Sequence, residues 1–100
     1  MKSGFKLIWT DRAIRDLKNI IDYLSDNWTY RELQKFAQKL DKRLIIIASN
    51  PSIFPQTSKR KNVRKSVLTK HTVIYYKQEK DGVIILTLFD PRQNPKKLKI

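Results

Sequence analysis

Two helical stripes of apolar residues, one directly after the other, constrain the fold of this chain more than any other feature. The stripes run through residues 13–28 and 33–47, with apolar side chains every three or four positions on one face of each helix. Thr10-Asp11 is typical of a helix N-cap followed by a first-turn acid. Thr29-Tyr30-Arg31-Glu32 has capping-box spacing. Because only a few residues separate the helices, we expect an antiparallel helical hairpin.

The pattern changes after Asn50-Pro51, which ends the second stripe. Residues 50–62 are rich in proline, serine and lysine and predict a loop; residues 63–68, 71–77 and 83–89 predict strands, and Asp81-Gly82 is a hairpin turn signal. Residues 5–9 form a further β-prone run before the helices. The sequence therefore predicts one α+β domain over residues 1–100, in the order β-α-α-β-β-β: an antiparallel meander with an N-terminal strand and a helical hairpin on one face. The place of the first strand in the sheet stays open.

Several chemistries are excluded by residue types that the chain lacks. Without cysteine there is no disulfide, no thiolate nucleophile and no cysteine-based metal site. One histidine and two glycines leave no ordinary transition-metal site and no glycine-rich phosphate loop, so we expect neither a metal nor a cofactor. No apolar run reaches the length of a membrane span or a signal peptide. These observations predict a cytoplasmic protein with no membrane partner.

The net charge of +13 predicts a negatively charged partner. Most of the excess lies in the second half, and its densest part is residues 59–65, with Lys59, Arg60, Lys61, Arg64 and Lys65. Such a cluster is able to hold phosphates or an acidic protein. The alternative is a solvated loop and edge strand, where lysine discourages pairing between sheets.

Three further side chains are candidates for function. His71 is the only side chain whose ordinary pKa lies near neutrality, although a single histidine opening a strand is also commonly structural. Tyr75 and Tyr76 must point to opposite faces of a strand, so one is expected in the core and the other, Tyr75, is a candidate for stacking on a base. Arg92 follows the last strand, where it is able to hold a phosphate or to pair with Asp90.

The predicted layout also indicates where these cations should lie. If the helices cover one face of the sheet, the other face is left bare for a ligand. We expect that bare face to carry the cations of the second half, namely Lys59, Lys61, Arg64, Lys65 and Arg92.

Over nearly its whole length the chain resembles the RelE/ParE superfamily of toxins from type II toxin–antitoxin systems, and its ParE-like members in particular. The resemblance lies in the order and spacing of several segments, which are Trp9-Thr10, the stripe from Ala13 to Leu24, Asn50-Pro51, Phe54-Pro55, Val63-Arg64-Lys65, the run from His71 to Tyr76, and the run from Leu88 to Pro95. It implies a growth-inhibiting toxin that forms a hetero-oligomer with an acidic antitoxin.

Two activities are known in that superfamily, and the resemblance implies a choice between them. ParE-like toxins poison DNA gyrase, whereas RelE-like toxins are ribosome-dependent mRNA endoribonucleases whose basic residues stabilise the transition state. Lys59 and Lys61 match the nuclease's loop residues loosely, and Arg92 matches its last arginine. Its second-strand arginine falls at Val67 unless the register shifts to Arg64 or Lys65.

The tyrosine on the nucleases' C-terminal helix has no counterpart in the sequence. Gyrase poisoning is therefore the favoured function, with target-binding residues Lys59, Arg60, Lys61, Arg64, Lys65, Tyr75 and Arg92. The nuclease is the alternative, with Arg92, Arg64, Lys61 and His71 as catalytic candidates. A non-toxic, basic nucleic-acid-binding module remains a third reading.

Overall fold

The elements of the chain follow the predicted order. A computed structural model describes residues 5–58, 60–80 and 82–91. Strand β1 spans Lys6–Trp9, helices α1 and α2 span Asp11–Asn27 and Tyr30–Ser49, and strands β2, β3 and β4 span Val63–Thr69, Thr72–Gln78 and Gly82–Phe89; a 3-10 turn, Pro51–Ile53, follows α2. The α+β class and the β-α-α-β-β-β order are confirmed.

Both helices begin where their caps predict. The Thr10 hydroxyl accepts a hydrogen bond from the Ala13 backbone N–H at 3.1 Å, which satisfies one of the free donors at the helix N-terminus. At Thr29 the capping box is complete, because the Glu32 N–H donates to the Thr29 side chain and the Thr29 N–H donates to the Glu32 carboxylate.

The sheet is mixed, in the strand order β1-β4-β3-β2. The β2–β3 and β3–β4 pairs form the predicted antiparallel meander, whereas β1 pairs in parallel with β4. A parallel pair needs a long connection, which the helical hairpin and two strands supply here. Gly82 permits this pairing, since a Cβ there would lie 2.9 Å from the Lys6 carbonyl oxygen. Asp81, its partner in the predicted turn signal, lies outside the described residues.

The larger core lies between the helices and one face of the sheet. We call it the helix-side core; its fully buried residues include Ala13, Ile47, Ile74, Tyr76 and Ile85. These side chains come from α1, α2, β3 and β4. Most of each helical stripe therefore packs where its periodicity predicts, although Ile21 and Trp28 of the first stripe stay exposed.

A second, smaller apolar cluster lies on the other face of the sheet. We call it the outer cluster; it consists of Val63, Val73, Tyr75 and Phe89, with Leu86 packed against it. Successive strand residues point to opposite faces, so Val73 and Tyr75 lie away from the helix-side residues Ile74 and Tyr76. The expectation of a bare face is therefore wrong, because apolar side chains no more than 8% exposed occupy it.

Two remaining expectations concern the β2–β3 turn and the membrane. The turn falls at Lys70 and His71, one residue later than predicted, so His71 lies in the turn and β3 begins at Thr72.

Within the described ranges, no helix has both the length and the apolar composition to cross a bilayer.

Candidate functional site

Two neighbouring loops build a polar pocket at one end of the β2–β3–β4 meander. One wall comes from the loop before β2 and from the start of β2, and the other comes from the end of β3 and the turn into β4. We call it the cationic pocket; its volume is about 630 Å³, and its described lining residues are Gln56, Arg60, Lys61, Asn62, Arg64, Lys77, Gln78, Glu79 and Lys80. All nine are polar or charged, and five of them are cations.

Arg64 is the most firmly held cation of the pocket. Its guanidinium donates to the Phe54 carbonyl at 2.6 Å and, more weakly, to the Ser52 carbonyl at 3.4 Å. Both bonds come from Nη1, so the other guanidinium nitrogens keep N–H groups that these carbonyls do not use. Arg64 pairs with Tyr76 across the β2–β3 ladder and so belongs to the helix side of the sheet, at its rim, rather than to the outer face.

Tyr76 supports the segment that holds Arg64. Its hydroxyl donates to the Pro51 carbonyl at 2.7 Å, and its side chain is fully buried. Burial raises the pKa of Tyr76 to about 12, although the Arg64 charge and a hydrogen bond with the Phe54 backbone act in the opposite direction. At neutral pH the phenol is therefore a neutral donor that fixes the 3-10 turn beneath Arg64.

A tight loop presents Arg60 and Lys61 on the first wall. The Val63 N–H donates to the Arg60 carbonyl at 3.3 Å, and the Thr57 N–H donates to the Val63 carbonyl at 2.7 Å. Asn62 has a φ of 69°, in the left-handed region that asparagine tolerates better than most residues. Both cations are exposed, so their charges are available to a ligand.

The second wall adds two lysines and one acid. Lys77 lies opposite Val63 on β2, and its Nζ is 3.3 Å from a Glu79 carboxylate oxygen. Lys80 follows in a turn closed by the Glu79 N–H, which donates to the Gly82 carbonyl at 2.7 Å. Lys77 and Lys80 were not predicted, because they lie at the end of β3 and in the following turn, outside the dense basic run before and within β2. The alternation and pairing of the two strands could have placed Lys77 beside that run.

The chemistry of the cationic pocket is that of an anion site. Five cations outnumber the single carboxylate among the described lining residues, and that carboxylate already pairs with Lys77. Exposed cations and side-chain amides donate hydrogen bonds to phosphate or carboxylate oxygens. The pocket is thus suited to binding and charge stabilisation.

Lys65 and Tyr75 lie apart from this pocket. They pair with each other across the β2–β3 ladder, on the outer face. Lys65 is exposed, whereas Tyr75 is only 6% exposed and belongs to the outer cluster. Burial raises the pKa of Tyr75. The predicted stacking of a base on Tyr75 therefore finds no open ring face in this structure.

His71 lies at the opposite end of the β2–β3 hairpin. From Arg64 to Thr69 the strand takes five steps, or roughly 17 Å, and the turn follows. There His71 lines a second pocket, of about 400 Å³, whose walls include Tyr23, Trp28 and Phe36. The structure does not bring His71 together with Lys61 and Arg64.

Two predicted site residues, Lys59 and Arg92, lie outside the described residues. The predicted grouping of Arg92 with Lys61 and Arg64 therefore stays a prediction. For residues 5–58, 60–80 and 82–91, no group of three or more histidine, aspartate or glutamate side chains is placed to hold a metal ion.

Comparisons with known proteins point to one group of toxins. Residues 7–95 match the family model of the ParE toxin of the type II toxin–antitoxin system parDE. The fold is similar to a structure of the chromosomal ParDE toxin–antitoxin system from P. aeruginosa, with a TM-score of 0.74 and 18% identity over 87% of this chain and 96% of that chain. A YoeB dimer structure from Staphylococcus aureus gives a TM-score of 0.61 and 13% identity over 87% and 97%. A sequence search of curated proteins found no significant match.

Proposed function

This chain belongs to the ParE toxin family of type II toxin–antitoxin systems, and from this premise we propose that it arrests growth by binding DNA gyrase rather than by cleaving RNA. Family membership establishes that the protein is a toxin. The proposal concerns only the target of that toxin. The binding surface that we assign to it is the cationic pocket.

The observation that carries the proposal is the separation of the cations from the histidine. Lys61 and Arg64 line one pocket, whereas His71, the side chain best suited to proton transfer near neutral pH, lines another at the far end of the hairpin. A binding poison needs a charged, well-positioned surface and no proton relay. The described pocket supplies the former, and this supports gyrase binding.

The partner that restrains the toxin is a cognate antitoxin, for which we propose an acidic segment that folds on binding. The toxin's charge of +13 would attract such a segment. The exposed apolar side chains of Ile14 and Ile21 on α1, and of Trp28 at its C-cap, are spaced seven residues apart and offer anchors for it. Affinity should then fall with salt less steeply than in a purely electrostatic complex. This would be contradicted if the Kd of the toxin–antitoxin complex rose with salt as steeply as the Kd of a toxin–polyanion complex.

A gyrase supercoiling assay with the purified toxin tests the target. We expect supercoiling to stop as toxin saturates gyrase, and to resume when antitoxin is added. The matched control is Lys35→Gln on α2, which removes one exposed charge that does not line the cationic pocket and should leave inhibition unchanged. Full supercoiling at saturating toxin would rule out gyrase as the target.

The endoribonuclease is the second candidate, favoured by one observation. Lys61 and Arg64, both proposed nuclease residues, do line the same pocket, and grouped cations are able to stabilise a phosphorane-like transition state. Primer extension on mRNA after induction would then show ribosome-associated cuts that vanish in Arg64→Gln. Intact messages during growth arrest would exclude it.

A non-toxic nucleic-acid-binding module and a cytoplasmic location complete the set of testable readings. Induced expression should arrest growth, and co-expression of the neighbouring acidic protein should relieve the arrest. Normal growth at high expression would support the non-toxic module instead.

We place the toxin in the cytoplasm, where gyrase acts, and recovery of tagged toxin in the membrane fraction would contradict that placement.

A further inference from the structure

We propose that the end of β3 and the turn into β4 make the cationic pocket a site for the phosphodiester backbone of duplex DNA, with Lys77 and Lys80 as phosphate ligands and Glu79 as a built-in restraint. This inference rests on the proposed gyrase function and deepens it, because gyrase presents the toxin with bound DNA. It assigns roles to Lys77 at the end of β3 and to Glu79 and Lys80 in the turn, which neither the dense basic run nor the resemblance includes.

The composition of the pocket favours a sugar–phosphate backbone over an acidic peptide. A segment that folds onto a protein surface is anchored by apolar side chains in desolvated pockets, yet all nine described lining residues are polar or charged. Phosphate and sugar contacts are made instead by lysine, arginine and side-chain amides. Gln56, Asn62 and Gln78 supply those amides between the cations.

The two walls of the pocket differ in how firmly their cations are held. This difference suits contact with the DNA sugar–phosphate backbone without recognition of the base sequence. Arg64 is held by the Phe54 and Ser52 carbonyls and so presents its remaining donors from a fixed position. Lys80, on an exposed turn, carries a point charge on a flexible stem. A fixed guanidinium orients one phosphate, while a flexible ammonium reaches a neighbouring phosphate of any sequence.

Glu79 limits how strongly this pocket binds. Its carboxylate lies 3.3 Å from the Lys77 ammonium, so Lys77 is partly neutralised before any ligand arrives. A phosphate entering the pocket must compete with Glu79 for Lys77. Removing the Glu79 charge should therefore strengthen DNA binding by more than a general attraction between DNA and a basic protein would, because it also frees Lys77.

The experiment measures binding of the full-length toxin to a fluorescent 20-base-pair DNA duplex of arbitrary sequence over a series of salt concentrations. Each phosphate contact contributes about 0.9 to the slope of log affinity against log salt, or about fivefold in affinity near 0.15 M salt. We expect Lys80→Gln to lower the slope by about 0.9 and Glu79→Gln to raise it by a similar amount. Lys35→Gln, the matched control, should change it by less than about 0.2.

Equal slopes for Lys80→Gln and Lys35→Gln would overturn the proposal, because binding would then depend on total charge alone. It would also be overturned if an acidic peptide of the antitoxin, added alone, bound less tightly to Lys80→Gln than to the parent while duplex binding stayed the same. Circular dichroism of each variant checks that the fold is intact, as expected for exposed turn residues. Unchanged slopes with full gyrase inhibition would refute this site but keep the proposed function, whereas the expected slopes without gyrase inhibition would do the reverse.

Discussion

The two faces of the sheet both bury apolar side chains, yet they differ in the size of the apolar cluster that each one carries. On one face two helices bury a core that draws on α1, α2 and all the strands of the meander. On the other face, among the residues that the structure describes, the outer cluster contains four buried side chains. Neither face carries the assembled cations, which meet at the end of the meander where loops and turns are close together. The cations thus lie close together in loops and turns, where their side chains do not have to be buried.

Adjacent residues of β3 test the difference between the faces most strongly. Ile74 is fully buried in the helix-side core and Val73 is 6% exposed in the outer cluster. We expect Ile74→Ala to lower the free energy of unfolding by about 2–5 kcal/mol, and Val73→Ala by about 1.6 kcal/mol for two lost methyl groups. Urea denaturation measures both values. Equal losses would mean that the outer cluster matters as much as the helix-side core.

Loss of one hydroxyl on the helix side should have an intermediate effect. Tyr76→Phe leaves the buried Pro51 carbonyl without its donor, at a cost of about 1–3 kcal/mol. Because the 3-10 turn contains the Ser52 carbonyl and leads directly into Phe54, whose carbonyl also holds Arg64, DNA affinity should fall as well. Tyr75→Phe on the outer face is the matched control, and a loss of affinity as large as that in Tyr76→Phe would contradict this role.

The same tyrosine predicts how stability changes in base. The pKa of Tyr76 rises from 10.0 to about 12 on folding, so the folded state holds its proton more tightly than the unfolded state. This contribution is complete below pH 10 and is lost as pH rises from 10 to about 12. Thermal unfolding of the parent should show a steeper fall in Tm over that range than Tyr76→Phe does. Parallel curves would show that Tyr76 is not responsible.

A hydrogen bond between α1 and β4 should make a smaller contribution to the stability of the packing between the helices and the sheet. The Thr87 hydroxyl donates to the Asp16 carboxylate, which also accepts from the Leu88 N–H at 3.3 Å. We expect Thr87→Val to cost about 1.5 kcal/mol, as for a hydrogen bond to a charged group. A double-mutant cycle with Asp16→Asn isolates the pair, and a coupling energy near zero would show that the two side chains act independently.

Substitutions in the cationic pocket should have the smallest effects on stability. Lys80→Gln removes one exposed charge and no packed group, so the free energy of unfolding should change by less than about 0.5 kcal/mol. Chemical denaturation beside the Ile74→Ala variant makes this comparison direct. A loss of 2 kcal/mol would mean that the pocket is part of the folding core and would weaken its assignment as a binding surface.

Local signals predicted the elements well, because each is encoded by nearby residues. The caps at Thr10 and Thr29 and the break at Asn50-Pro51 fix the helices through short-range hydrogen bonds and geometry. The parallel pairing of β1 was not predictable in this way, since two distant segments meet. Gly82 does lie at the predicted hairpin turn, where its carbonyl accepts from the Glu79 N–H, and it also makes room for the Lys6 backbone.

The candidate site was predicted only in part, for the same reason. The dense basic run identified Arg60, Lys61 and Arg64, which do line one pocket. Lys77 and Lys80 joined them only through strand register, and Tyr75 proved to be buried by neighbours that the sequence does not place. Composition indicates how much charge a chain carries, whereas the pairing of the strands decides which charged side chains lie close together.

The contact between the Thr10 hydroxyl and the carbonyls of Ile85 and Leu86 joins residues 75 and 76 positions apart. During translation β1 emerges early and has no partner until β4 has left the ribosome tunnel. The helical hairpin can form before then, but the sheet cannot close and the turn wall of the pocket does not yet exist. The cationic pocket is therefore among the last parts of the fold to be completed as the chain is made.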